Sequence, residues 1–310
     1  MNEKKLHGLS LLAAITADVI FGMSFMFSKL ALAVAQPTVL LAFRFTVAVA
    51  VMSLAVLVNE LAGKIRGRKL FSFSLRGKPV GKLILLGMVQ PVAYFIFENY
   101  GILYTSSAVA GTIISAVPVC CILMDVVVLH EKVTARQVLC ALGAVGGVAL
   151  ISVGGAVMIS ALGLLFLLLT MLSDTVYYGI SHSAAKVCTP FEMTYVMFVV
   201  GMVVFIPVAL LQAGGLHSEL ITLPVQSGDF WLAVLYLGVL SSGVAYGLLN
   251  FANGHLTVSE SSLFSNVTTV VSVLAGVILL KEPFSLWQML GVAVILGCVF
   301  VANATPAGKK

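Results

Sequence analysis

Six ionisable residues lie inside long apolar stretches of this chain: Asp18, Lys29, Arg44, Glu98, Asp125 and Asp174, with Glu260 near the inner end of the ninth stretch. A charge at the centre of a bilayer costs at least about 2.5–3.5 kcal/mol on insertion scales, so such residues usually face a bundle interior and mark a path for a solute or ion. Counted along helices at about 1.5 Å per residue, Asp18 and Asp174 fall near mid-stretch with no basic residue at their depth. An unpartnered buried carboxylate accepts a proton or holds a cationic group. The alternative use is a hydrogen bond to a neighbouring hydroxyl such as Thr16, Ser173 or Thr175. Arg44 and Glu98 fall in the same outer half as Lys29 and read as a structural ion pair, because either one alone would be costly. Asp125 lies nearer an inner end, within reach of interfacial water or a basic loop residue.

Aromatic and amide side chains surround these positions. Tyr94, Asn99, Tyr100 and Tyr104 follow one another on one stretch, and Tyr177 and Tyr178 follow Asp174. Tyr246 and Asn250 share a helix face at i, i+4. Tyrosine offers an apolar ring with a polar tip, and asparagine both donates and accepts. Such a lining suits a polar or amphoteric metabolite, although Tyr104 and Tyr236 read better as interfacial anchors.

Composition identifies the solvent that must position these groups. Sixty per cent of the 310 residues are hydrophobic and 9% are charged, against about 25% charged in soluble domains. Mean hydropathy is +1.12. A soluble enzyme, a nucleic-acid binder and a disordered chain are poor readings, and the net charge of +5 reflects basic residues clustered between apolar runs. Of the five cysteines, all but Cys188 lie in apolar stretches and none forms a metal-type pair, so they read as packing residues.

A helix needs about 20 mainly apolar residues to cross a bilayer. The sequence contains ten such runs, at 9–34, 38–58, 80–103, 107–129, 135–154, 158–183, 191–212, 229–252, 258–280 and 286–303. The first is too long for a signal-peptide core and contains Asp18 and Lys29, so cleavage is not expected. With both ends inside, 14 of the 17 Lys and Arg fall on the inner side and only Lys281 on the outer. That bias predicts cytoplasmic termini, in a plasma (inner) membrane.

The chain also resembles itself at an offset near 151: Asn99 falls on Asn250, Glu131 on Glu282, Gln137 on Gln288 and Gly146 on Gly297. Each half, 1–154 and 155–310, then supplies five helices. Five is odd, so the second half enters from the opposite face. The expected fold is all-α integral membrane, with ten transmembrane helices as two inverted-topology repeats and a site near the midplane between them. Gly143 and Gly147 form a GxxxG that reads as packing within the bundle, with a homodimer seam as the alternative.

These features resemble the ten-helix drug/metabolite transporter superfamily, in proteins with two EamA domains. Phe21-Gly22-Met23-Ser24-Phe25 resembles its aromatic-Gly-x-x-Phe element, and Pro37 with Arg44 its second-helix opening. Tyr100-Gly101 through Thr105 and Ala108, then Pro118-Val119, Glu131, Thr134 and Gln137, resemble later elements. The second copy shows Ser261, Glu282, Ser285, Gln288 and Gly291. Two departures stand out: Thr268-Thr269 replaces the usual proline of the ninth helix, and Ser173-Asp174 replaces a small residue and tryptophan in the sixth. The resemblance implies a secondary transporter or exporter of small solutes, working without ATP, cofactor or metal, by alternating access in the lipid bilayer. The expected substrate or proton site comprises Asp18, Asp174, Ser24, Tyr94, Asn99, Tyr177, Tyr246 and Asn250, with Arg44–Glu98 as the structural pair. Amino-acid-like or amphoteric solutes come first as cargo and cationic drugs or quaternary amines second. A channel or non-transporting scaffold is the rival reading from another class, and an intramembrane enzyme lacks the HExxH or GxSxG motif it would need.

Overall fold

The computed structural model describes residues 3–66, 73–114, 116–117, 120, 135–153, 160–256 and 265–303. All regular structure among these residues is helical. Ten labels follow chain order: α1 Glu3–Leu32, α2 Pro37–Arg66, α3 Val80–Tyr104, α4 Ser107–Ile114, α5 Ala135–Val153, α6 Ala161–Ala184, α7 Pro190–Ala213, α8 Gly228–Asn253, α9 Asn266–Leu279 and α10 Leu286–Asn303. A short helix, Glu219–Gln226, links α7 to α8. Six of them, α1, α2, α3, α6, α7 and α8, are long and apolar enough to cross a membrane, and α9 and α10 contain shorter apolar stretches. The splits expected at 35–37 and 104–106 are present, between Leu32 and Pro37 and between Tyr104 and Ser107. Asp125, Glu131 and Glu260, with most of the run 107–129, lie outside the described residues.

Local chemistry sets several boundaries. Thr189 and Glu192 form a reciprocal capping box at the start of α7, with Pro190 at the first helical position. Gly214, at φ 75°, ends the same helix in the left-handed conformation that favours glycine.

The packing has a two-fold pattern. α2 packs on α7, α4 on α9 and α5 on α10. The α1–α8 contact has its counterpart in α3–α6, and α2–α8 in α3–α7. Exchanging each helix for the one five along leaves these pairings unchanged. Among the described residues three helices open into wider π-type turns, α3 at Met88–Ala93, α8 at Tyr236–Ala245 and α9 at Ala275–Leu279. The turns of α3 and α8 correspond in the repeat, since Gln90 and Ser241 are 151 residues apart. At Gln90 the backbone leaves the helical region altogether (φ −145°, ψ 112°). Such breaks are tolerated at membrane depth where the freed backbone is buried in protein or lines a cavity.

The GxxxG of α5 packs inside the bundle. A Cβ on Gly147 would lie 2.7 Å from Ile295 Cγ1, and one on Gly291 of α10 would lie 2.7 Å from the Gly147 carbonyl oxygen. Gly291→Val is therefore expected to force the two backbones apart and cost about 1–3 kcal/mol. Gly297 faces open space, so Gly297→Ala should hold or raise stability, by up to about 1 kcal/mol. Thermal unfolding of the purified variants in detergent reads both.

Candidate functional site

A buried cavity lies where α1, α3, α6, α8 and α9 converge, and the irregular α3 and α8 form part of its wall. Acidic groups reach it from three helices: Asp18 from α1, Glu98 from α3 and Asp174 from α6. The rings of Phe21, Phe25, Phe95, Tyr94, Tyr178 and Tyr246 supply much of the remaining wall. Among the described residues its lining contains no Lys, Arg or His.

Two of the three acids, Asp18 and Glu98, are held on one side and bare on the other. The Thr268 hydroxyl of α9 lies 3.0 Å from both Oδ1 and the backbone oxygen of Asp18, while Asp18 Oδ2 is buried without a partner. The Tyr94 hydroxyl donates to Glu98 Oε1 at 3.2 Å, one helical turn back, and Glu98 Oε2 is likewise buried and unpartnered. Gln90, at the break in α3, donates to the Tyr246 hydroxyl, leaves its own Oε1 without a partner and lies against Asp174. The non-helical backbone at Gln90 thus places a side-chain amide at the cavity wall. Buried polar atoms are normally satisfied, so three bare acceptors on one cavity mark a place where a proton or cationic ligand would find its partners.

Arg44 sits behind this wall. It is 1% exposed. Its Nε donates to Ser242 Oγ and its Nη2 to Ser241 Oγ, both at 3.0 Å. The guanidinium carbon lies 3.9 Å from the centroid of the Phe95 ring, a cation–π contact. The direct Arg44–Glu98 ion pair expected from the sequence is not formed. The widened turn of α8 presents two serine hydroxyls to the guanidinium, and these with the Phe95 ring hold it, so Glu98 is left facing the cavity.

Of the eight residues expected to bind, Asp18, Ser24, Tyr94, Asp174 and Tyr246 come together around the cavity, and Asn99, Tyr177 and Asn250 do not. Asn250 is instead the hub of a packed network. It accepts from the Tyr177 hydroxyl at 2.9 Å and from Ser181 Oγ at 3.0 Å, and its Nδ2 donates to Thr194 Oγ1 at 2.8 Å. This network ties α6, α7 and α8 together. Asn99 turns back on its own helix and donates to the Phe95 carbonyl at 2.8 Å. Sequence spacing put these residues on plausible faces, but inter-helix packing decides which face meets the cavity. Tyr178, named in the sequence beside Asp174, lines the cavity, whereas Gln90 and Thr268 were missed; a proline inside an apolar run at Pro91 and the Thr268-Thr269 departure are the signals that could have found them.

Among the described residues, polar contacts tie helix ends together at both ends of the bundle. At one end Lys29 Nζ donates to the carbonyls of Ile102 (3.1 Å) and Thr105 (3.4 Å) at the C-terminus of α3. There Glu282 accepts from the backbone amides of Ser107 (3.1 Å) and Ala108 (3.2 Å) at the start of α4. A cation on a helix C-terminus and an anion on an N-terminus both match the helix dipole. At the other end Lys78 and Glu192 form an ion pair at 3.4 Å, and Lys82 bonds to Ser183. The cavity between them offers about 40 Å³ to water centres. One water needs about 10–15 Å³ on that measure, so this conformation has room for a few waters and not for an organic solute.

Replacing Asn250 with alanine strands buried hydroxyls, each at a cost of about 1–3 kcal/mol. The variant should unfold at lower temperature, and transport measured per folded molecule should survive.

Residues 8–153 and 161–304 each match the model of the EamA-like transporter family. The chain is 33% identical over 293 residues to the "Uncharacterized transporter YcxC" of Bacillus subtilis (strain 168), which covers 93% of this chain and 91% of that protein. It is 24% identical over 242 residues to a "Probable terminal-alkyne amino-acid exporter" of Streptantibioticus cattleyicolor, covering 76% of this chain and 77% of that one. A crystal structure at 22% identity superimposes with a TM-score of 0.63 over 94% of this chain and shares its fold. With two matched repeats over nearly its whole length, the chain belongs to the EamA-like transporter family.

Proposed function

We propose that this transporter is a secondary carrier of small amine-bearing organic solutes, amino-acid-like or otherwise amphoteric ones first, that exchanges them for protons by alternating access. The observation that carries this reading is the cavity itself. Three carboxylates and a ring of aromatic side chains meet there, without a cation in the lining. In this reading Asp18 and Asp174 take the proton or the ammonium group in turn. Ser24, Tyr94, Tyr178, Gln90 and Tyr246 shape the pocket around the rest of the solute. The exporter name carried by one relative supports amino-acid-like cargo. Organic cations such as quaternary amines are a second reading, favoured by the same absence of a basic group from the lining.

Ten crossings, arranged as inverted five-helix repeats at 1–154 and 155–310, are part of the proposal. The two-fold pairing of the helices and the matched turns at Gln90 and Ser241 support it. So does the excess of Lys and Arg on the side of both termini, which favours cytoplasmic termini in a plasma membrane. Rocking of one repeat against the other would open the Lys29–Glu282 end and the Lys78–Glu192 end alternately.

In proteoliposomes, counterflow across amino acids, amines and quaternary amines should saturate and respond to an imposed pH gradient. Equal rates with and without the gradient remove the coupling. Asp174→Asn, matched for expression, should lower transport at least about tenfold, the equivalent of about 1.4 kcal/mol of lost binding. Unchanged transport by this variant would remove Asp174 from the site. Labelling single cysteines at the two tails from one side of the membrane checks the topology, and reaction from opposite sides would overturn it.

A further inference from the structure

Glu98 is 2% exposed, lines the same cavity as Asp18 and Asp174, and keeps a bare Oε2. The groups that face it from the surrounding elements are Tyr94 on its own helix, Arg44 from α2, Asp18 from α1, Asp174 and Tyr178 from α6, and Tyr246 from α8. From α9 the lining residue is Thr268, which is uncharged. Among the described residues the nearby cation is Arg44, whose Nε and Nη2 go to Ser242 and Ser241 and whose guanidinium lies on the Phe95 ring; its Nη1 has no hydrogen-bond partner, and it makes no direct ion pair with Glu98. Lys29 is anchored at the far end on the carbonyls of Ile102 and Thr105, beside Glu282. With every group ionised, three carboxylates and one guanidinium leave the closed site at minus two. A closed, low-dielectric cavity does not hold such an imbalance, because unpaired buried charge is strongly disfavoured.

We propose that Glu98 is a third exchanging carboxylate of the cavity, not the fixed counterion of Arg44, and that the site therefore takes on two positive charges each time it closes. In a proton-exchange cycle, two protons would occupy it in one half-cycle. In the other half-cycle an organic monocation and one proton, or a single organic dication, would replace them. Proton and solute balance follows directly. A dication exchanges for two protons without net charge movement. A monocation that keeps one proton in place exchanges for the other. Glu98 would set this capacity at two; with glutamine there, it falls to one. This rests on the transport reading above, and the test separates the two.

Infrared difference spectra of the full protein in lipid, recorded across a pH titration with protons as the sole ligand, count the carboxyl groups that gain and lose a proton. The nine acidic residues outside the cavity contribute to both spectra, so the difference between wild type and Glu98→Gln is read: wild type should show three cavity carboxyls and Glu98→Gln two, with an unchanged elution profile. In proteoliposomes, 1,4-diaminobutane should be a better competitor than n-butylamine for wild type, and that preference should fall at least tenfold in Glu98→Gln. A carboxyl spectrum unaltered by Glu98→Gln overturns the proposal, as does an unaltered diamine preference. If Glu98→Gln does not fold, Glu98→Asp decides: an exchanging group shifts its protonated-carboxyl band on this change, and an unshifted spectrum overturns the proposal. Failure of wild type to transport any amine, with three titrating carboxyls still present, would instead defeat the transport reading and leave the carboxylate assignment standing.

Discussion

Charge in a medium that cannot solvate it is the constraint around which this bundle is organised. Three carboxylates and a guanidinium lie close together at a depth where each alone would be expensive. The protein does not neutralise them by pairing. It gives Arg44 two serine hydroxyls and an aromatic face, gives Asp18 a threonine, gives Glu98 a tyrosine, and leaves one oxygen of each of those two acids bare. Those choices depend on irregular backbone. Ser241 and Ser242 reach Arg44 from the widened turn of α8, and Gln90 reaches the cavity from the broken turn of α3. Regular helices would present different residues at both places.

The two halves use equivalent positions differently. Gln90 and Ser241 occupy corresponding places in the widened turns of α3 and α8; one lines the cavity and the other secures the arginine behind it. Glu98 corresponds to Leu249 at the same offset, and both line the cavity, one as an acid and one as apolar wall. Asn99 corresponds to Asn250, yet Asn250 gathers three helices while Asn99 bonds to its own backbone. A repeated scaffold thus carries an asymmetric site.

Among the described residues, the ends of the bundle are tied by a few polar contacts. Both latches use charge against backbone. Lys29 covers free carbonyls at the end of α3, Glu282 covers free amides at the start of α4, and Glu192 caps α7 while pairing with Lys78. These contacts satisfy helix termini that would otherwise be bare in an apolar setting. They are also few and polar, and so suited to breaking and remaking, unlike the apolar seam of α5 against α10.

Much was legible in the residues alone. Apolar length gave the membrane class and most helix positions, because a bilayer imposes a minimum run that few other structures need. Mid-run charge marked Asp18 and Asp174, and the 151-residue offset exposed the repeat, since both signals are local or periodic. The direct Arg44–Glu98 contact expected from depth on ideal helices is absent because the turns that deliver Ser241, Ser242 and Gln90 are not ideal. Asn99, Tyr177 and Asn250 were placed in the cavity because helical spacing fixes which residues share a face and leaves open what that face meets. The azimuth of each helix is set by close approaches such as Gly22 on Val271 and Gly201 on Phe45, which belong to pairs of distant segments. The sequence therefore determined the solvent, the segments and the acids, while only the packed bundle decided which of those acids share a cavity and which polar groups serve as its scaffolding.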